Sequence, residues 1–217
     1  MLNISKIKKD FPIFTHHPDL IYLDSTASSL KPRQVIAKEN EYYEQYSANI
    51  FRGIYQISEQ ATAEYENVRQ KVADFISVKN PDEIIFVRNA TEAINLVAAG
   101  LKDSIKKGDN IVTTIMEHHA NFVCWQVICQ EKNAQFRIAP ITPDGLLDQS
   151  KLLNLIDKNT KIVGLAHVSN VLGTINPLQE IIANIKQKNP HCLIVIDGAQ
   201  AIPHMPVNVT DLDCDFY

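Results

Sequence analysis

An α/β fold, a mainly parallel sheet with flanking helices, is what this sequence predicts, and three observations predict it. Between residues 83 and 197, short apolar runs alternate with helix-length amphipathic stretches. The runs lack polar alternation, as strands covered on both faces do. Polar residues collect just after the runs, at the strand ends where open α/β sheets bind ligands.

The elements follow in order. Residues 1–57 are richer in aromatics and weaker in periodicity than the rest, and are expected to bridge to a smaller domain. Residues 58–217 carry the long helix and the alternating strands and helices, and are expected to form the sheet-bearing domain. In "SEQATAEYENVRQKVADFI", Ala61, Tyr65, Val68, Val72 and Phe75 recur at three-to-four spacing, with Ser58 as N-cap, which predicts a long amphipathic helix. "EIIFV" (83–87) reads as a strand and "TEAINLVAAGL" (91–101) as a helix. "NIVTTI" (110–115), "AQFRIAP" (134–140), "KIVGLAHVS" (161–169) and "CLIVID" (192–197) read as further strands. The helices between them are "ANFVCWQVICQEK" (120–132), "DQSKLLNLID" (148–157) and "PLQEIIANIKQ" (177–187).

Composition narrows the function classes. A chain of 217 residues, 45% hydrophobic and 21% charged, has enough apolar material for a substantial core. A net charge of −4 with no clustered basic face argues against nucleic acid as a partner. The cysteines at 124, 129, 192 and 214 have neither CxxC nor zinc-ligand spacing, so no metal is expected, and Cys192 reads as a buried reduced thiol. The start lacks the apolar core of a signal peptide and no stretch of 18 apolar residues occurs, so the expectation is a cytoplasmic protein with no membrane contact. GxGxxG, GxxxxGK[ST] and GxSxG are all missing, which argues against dinucleotide, P-loop and simple hydrolase chemistry.

Four strand ends carry polar groups. Thr91 would open a helix, where free N–H groups and the dipole favour an anion such as phosphate; the plainer reading is an ordinary N-cap. In "MEHHAN", the adjacent His118 and His119 cannot both face one way, so one can lie against an aromatic ligand; the plainer reading is a surface or capping pair. Asn170 opens the polar loop "SNVLGTINPL", where an amide can meet a ring substituent or simply serve the turn. "CLIVIDGAQA" delivers Asp197 and Gln200. A carboxylate at a buried strand end is costly unless a cation or donor meets it, and a protonated pyridine nitrogen is such a partner; the alternative is a helix cap.

Taken together, "YLDSTASSLKP", "FRGIYQISEQATAEYENVR", "FVRNATEAINLVA", "GDNIVTTIMEHHANFVCWQ", "HVSNVLGTINPL" and "VIDGAQAIPHMPVNVTDLDCDFY" resemble, in order and spacing, the cysteine desulfurases. The likeness is to the sulfur-mobilisation and selenocysteine-lyase group within the class-V aminotransferase superfamily, and it runs from about Tyr22 to Tyr217. It implies the large domain of a fold-type-I transferase dependent on pyridoxal 5′-phosphate. It also implies a homodimer that converts L-cysteine to L-alanine and an enzyme-bound persulfide, passing sulfur to an acceptor protein for iron–sulfur cluster assembly. By position, Asp197 would pair with the pyridine nitrogen and Gln200 would contact the ring hydroxyl. His118 would stack on the ring and assist proton transfer, and Thr91 with the backbone at Ala90 would hold the phosphate. Asn170 would sit near the ring oxygen and the substrate carboxylate, and Arg52 near the substrate entrance.

Departures from the family pattern are informative. Phe51 and Tyr55 stand where relatives usually have histidines, and Ala90 precedes Thr91 where many carry two threonines. The sequence ends at Tyr217, before the place where the resemblance implies a cofactor lysine and, later, a nucleophilic cysteine. These residues alone are therefore expected to be inactive. Another class-V transaminase or lyase, and a non-catalytic interaction module, are the alternative readings.

Overall fold

The computed structural model of the protein describes residues 3–217. The chain forms two compact units, one ending at Lys71 and one spanning Val72–Tyr217.

The first unit holds α1 (Ile4–Lys8), α2 (Ile13–His16), α3 (Arg33–Gln45) and most of α4 (Gln56–Phe75). Ser58 is expected as the cap of α4, but the helix begins at Gln56 and Ser58 lies inside it, fully buried. Its hydroxyl donates to the Asn49 carbonyl at 2.6 Å, so it ties the preceding loop to the helix instead of accepting from the helix end.

The second unit is built on a four-stranded parallel sheet in the order β2-β1-β3-β4, with β1 Asn110–Thr114, β2 Gln135–Ala139, β3 Thr160–Ala166 and β4 Leu193–Asp197. The helices between strands are α6 (Val123–Lys132), α7 (Gln149–Leu155) and α8 (Leu178–Lys188); α5 (Ala90–Leu101) precedes β1 and α9 (Val209–Leu212) follows β4. Parallel neighbours need such crossovers.

Both faces of the sheet are covered, which is why its strands read as unbroken apolar runs. Val112, Val163, Leu165, Ile194 and Ile196 pack with Leu152, Leu178, Ile181, Ile182 and Ile185 on one side. Ile111, Ile162 and Val195 pack with Ile94, Ala98, Trp125, Ile128 and Cys129 on the other. Neighbouring strand residues go to opposite layers, as the pleat requires. Each fully buried Ile or Leu of this kind stabilises the fold by about 1.5–3 kcal/mol relative to exposure.

One predicted strand is absent. Residues 83–87 form a 3-10 turn, Pro81–Glu83, followed by chain outside any strand. The outer edge of β4 is taken instead by residues 215–216: the Ile196 N–H donates to the Phe216 carbonyl at 2.9 Å, and the Asp215 and Phe216 N–H groups donate to the Ile194 carbonyl. Ile84, Ile85 and Val87 line an apolar groove of about 650 Å³ together with Val195 and Phe216.

Candidate functional site

Four chain segments reach the carboxyl ends of the strands, and each carries a residue singled out in the sequence. The start of α5 presents Ala90 and Thr91. Its N-cap is Asn89, not Thr91 as expected: the Asn89 side chain accepts from the Glu92 N–H at 2.9 Å, because a short amide reaches back to the first turn best from the residue before the helix. Glu92 is taken up by Arg88, accepting from its backbone N–H at 2.7 Å and from its guanidinium at 3.1 Å, which lowers the Glu92 carboxyl below its ordinary range. Thr91 therefore sits exposed in the first turn, where the Ala90 and Thr91 N–H groups precede the first intrahelical bond, made by Ala93.

His118 follows β1. Its Nδ1 accepts from the Ala120 N–H at 3.1 Å and so caps the 3-10 turn His119–Asn121. That contact fixes the ring and, in the neutral form, leaves the proton on Nε2. His119 packs edge-on to it, with centroids 6.0 Å apart and the planes at 80°. Thr91, Asn95, His118 and His119 line one cleft of about 540 Å³, with Ala98, Val123, Cys124 and Val127 as its apolar wall. The structure thus brings Thr91 and His118 together.

Asp197 is the last residue of β4 and is 9% exposed. Its Oδ1 accepts from the Ala199 N–H at 3.0 Å, and its carbonyl accepts from the His167 N–H at 2.9 Å. Among the described residues no lysine, arginine or histidine forms an ion pair with it. Gln200 follows in the turn after Gly198 and is half-buried. Asn170 begins the loop after β3, which Ser169 closes by pairing with Thr174 and Gly173. Ala166 at the end of β3 is the register partner of Asp197, so the two loops leave adjacent strands at the same level. Arg52 is exposed and belongs to the first unit.

Sequence reasoning missed a set of buried groups beneath this surface. Glu117 Oε1 accepts from the Thr114 hydroxyl and Oε2 from the Asn121 amide, each at 2.7 Å. Asn121 Oδ1 accepts from the Trp125 indole at 3.0 Å. A Cβ on Gly164 would lie 2.9 Å from that indole nitrogen, so the absence of a side chain there lets the indole approach β3 this closely. Burial pushes the Glu117 carboxyl up to about 7, and the nearby Asp197 charge adds to the effect. On the other side of Asp197, the Tyr217 hydroxyl meets His167 Nδ1 at 2.9 Å. Burial lowers His167 and so favours its neutral imidazole, which shares one hydrogen bond with the phenol. The only sequence signal for Glu117 was its place inside "MEHHAN".

None of the cysteines is poised as a nucleophile. Burial pushes Cys124, Cys129 and Cys214 up to about 11 and Cys192 up to about 12. Among the described residues no cluster of His, Cys, Asp or Glu has the arrangement of a metal site, and no helix is long and apolar enough to cross a membrane.

Comparison with known proteins adds the following. The family model "Aminotransferase class-V" matches residues 21–217. A cysteine desulfurase of Escherichia coli O8 is 46% identical over 219 aligned residues, covering 99% of this chain and 53% of the relative. The apo structure of a cysteine desulfurase from Thermococcus onnurineus NA1 superimposes with a TM-score of 0.91 at 38% identity, over 100% of this chain and 53% of that one. The E. coli cysteine desulfurase CsdA, in an S-sulfonic acid form, gives 0.87 at 31% identity over 100% and 54%. The chain spans about half the length of the relatives it matches.

Proposed function

The chain belongs to the aminotransferase class-V family, and from that premise we propose that it is the cofactor-holding part of a cysteine desulfurase. Cysteine desulfurases of this family depend on pyridoxal 5′-phosphate. One observation carries the reading: Asp197, nearly buried at a strand end, has no cationic partner among the described residues. A protonated pyridine nitrogen supplies that charge, so the residues present fit the group.

In this reading Asp197 holds the ring nitrogen and Gln200 the ring hydroxyl. His118 lies on the ring face, its orientation fixed through Ala120. The Thr91 hydroxyl and the N–H groups of Ala90 and Thr91 bind the phosphate at the start of α5, where the helix dipole favours an anion. Asn170 orients the ring oxygen and the substrate carboxylate, and Arg52 serves the substrate entrance. When bound, pyridoxal phosphate supplies an electron sink for carbanion chemistry at the substrate α-carbon.

The substrate is L-cysteine, the products L-alanine and a protein persulfide, and the sulfur goes to an acceptor protein in the cytoplasm. Residues 58–217 act as the incomplete large domain, residues 1–57 lead to the small one, and the working assembly is a homodimer. A cofactor-anchoring lysine and a low-pKa cysteine are not supplied by these residues. A polypeptide of residues 1–217 alone is expected to release no sulfide or alanine from cysteine above a free-cofactor control.

Equilibrium binding tests the cofactor site. 4′-Deoxypyridoxine 5′-phosphate has the ring and phosphate but forms no bond with an amine. It is expected to bind the protein and to quench Trp125. Binding that is absent, or that survives Asp197→Ala unchanged, overturns the reading.

A further inference from the structure

We propose that Glu117 is a positioning residue for the cofactor end of the sheet: clasped between Thr114 and Asn121, it holds the turn that carries His118 and sets a second carboxyl against Asp197. The proposal rests on the cofactor reading above.

The geometry shows a clasp. Glu117 joins Thr114, the last residue of β1, to Asn121, at the end of the 3-10 turn that His118 caps. Thr114 and Asn121 are fully buried, so the carboxyl is turned inward. The chain of contacts ends on Trp125, also fully buried, and on Gly164, whose lack of a side chain admits it. His118 thus stands on a support with few alternative arrangements.

The choice of a carboxyl needs a reason, because burying one is costly and a glutamine would make the same clasp. Gln Oε1 accepts from Asn121, and Gln Nε2 donates to Thr114, whose hydroxyl works in either sense. What glutamine lacks is a titratable charge. Backbone at Ala166 helps hold the Glu117 charge, and Ala166 is the register partner of Asp197. A charge on Glu117 therefore adds to that on Asp197 and favours a proton on a pyridine nitrogen paired with it. The other titratable groups at these strand ends are His167 after β3, Tyr217 beside β4, and His118 and His119 on the same turn.

The test uses the protein with 4′-deoxypyridoxine 5′-phosphate as the probe. Affinity is read from quenching of Trp125, the single tryptophan, and protonation of the bound ring nitrogen from its ultraviolet spectrum against pH. Glu117→Gln is expected to bind the probe within about threefold of wild type, because the hydrogen bonds to Thr114 and Asn121 persist. Its bound ring is expected to lose the nitrogen proton at lower pH than in wild type. Glu117→Leu, which loses the clasp, is expected to bind at least about tenfold more weakly. A ring titration identical in wild type and Glu117→Gln, or wild-type affinity in Glu117→Leu, overturns the proposal while leaving the cofactor reading intact. No binding by the wild type overturns both.

Discussion

The ring of Tyr217 lies so close to the backbone of Gly198 that a Cβ there would come within 2.2 Å of its Cε1 and Cζ. Gly198 is the residue after Asp197, so this contact sets how the β4 end and the Asp215–Tyr217 segment approach each other. Gly198→Ala is expected to displace the ring, break its hydrogen bond to His167 and cost about 1–3 kcal/mol, the range for overpacking a close contact. Tyr217→Phe removes only the hydroxyl and should cost about 1 kcal/mol. Urea unfolding of the two variants separates these effects; equal midpoints for Gly198→Ala and wild type would show that the ring has room to move.

At Asp197, stability and binding are expected to part company. The carboxylate is nearly buried and has no cationic partner among the described residues. Asn in its place still accepts from the Ala199 N–H and removes the charge. Asp197→Asn is therefore expected to be at least as stable as wild type without cofactor, while cofactor affinity falls by at least about tenfold, one charge-assisted hydrogen bond. A charge kept for binding at a cost in stability shows this pattern. A variant both less stable and unimpaired in binding would remove Asp197 from the site.

The two-faced strands were legible in the sequence because burial on both sides leaves no polar alternation, and β1 to β4 lie where the apolar runs predicted them. Residues 83–87 have the same local pattern, yet no strand forms there. The β4 edge is paired instead with residues 215–216, more than a hundred positions away, which no local window contains. The cap of α5 was displaced by two residues for a local reason: Asn89, Ala90 and Thr91 are all plausible near a helix start, and only the backbone shows that Asn89 holds the cap. Glu117 was illegible for a different reason. Within "MEHHAN" the residue types suggest that the histidines matter, but only the partners Thr114 and Asn121 show that the glutamate turns inward. Gly164 and Gly198 likewise look ordinary until the rings of Trp125 and Tyr217 are seen against them.

Glu117 also predicts how stability depends on pH. Its folded carboxyl is raised from 4.5 to about 7, mainly by burial, so the folded protein holds this proton more tightly than the unfolded chain. Stability from this group is full below pH 4.5 and declines as pH rises to about 7. Glu117→Gln carries no such proton. The difference in unfolding free energy between variant and wild type is expected to shift in the variant's favour across that interval and to level off above it. A difference that stays constant from pH 4.5 to 7 would place the carboxyl in a solvated setting.

The thiols offer a separate check on packing. All four are pushed up to about 11 or 12 by burial, so at pH 8 little thiolate forms. Iodoacetamide should label the native protein slowly and the urea-unfolded protein fast, with Cys192, fully buried, the slowest of the four. Mass spectrometry after a timed pulse gives the order. Rapid native labelling of Cys192 would contradict the packing of α8 against β4.

The phosphate end of the site has a gain-of-function test. Ala90 and Thr91 share the exposed first turn of α5, and the cap itself is already satisfied by Asn89. A hydroxyl at position 90 would stand beside that of Thr91 and give an incoming phosphate a second side-chain donor. In Ala90→Thr the loss of helix propensity costs about 0.5 kcal/mol. The added hydrogen bond is worth about 1 kcal/mol in affinity, or roughly fivefold. Thr91→Ala should lose a similar amount, and both changes should shrink as salt rises. Titration with inorganic phosphate and with 4′-deoxypyridoxine 5′-phosphate reads the two effects. If Ala90→Thr tightens the phosphorylated ring but not phosphate alone, the hydroxyl acts only once the ring is seated. If it tightens neither while Thr91→Ala weakens both, the backbone N–H groups and one hydroxyl already satisfy the anion, and the alanine costs this chain nothing.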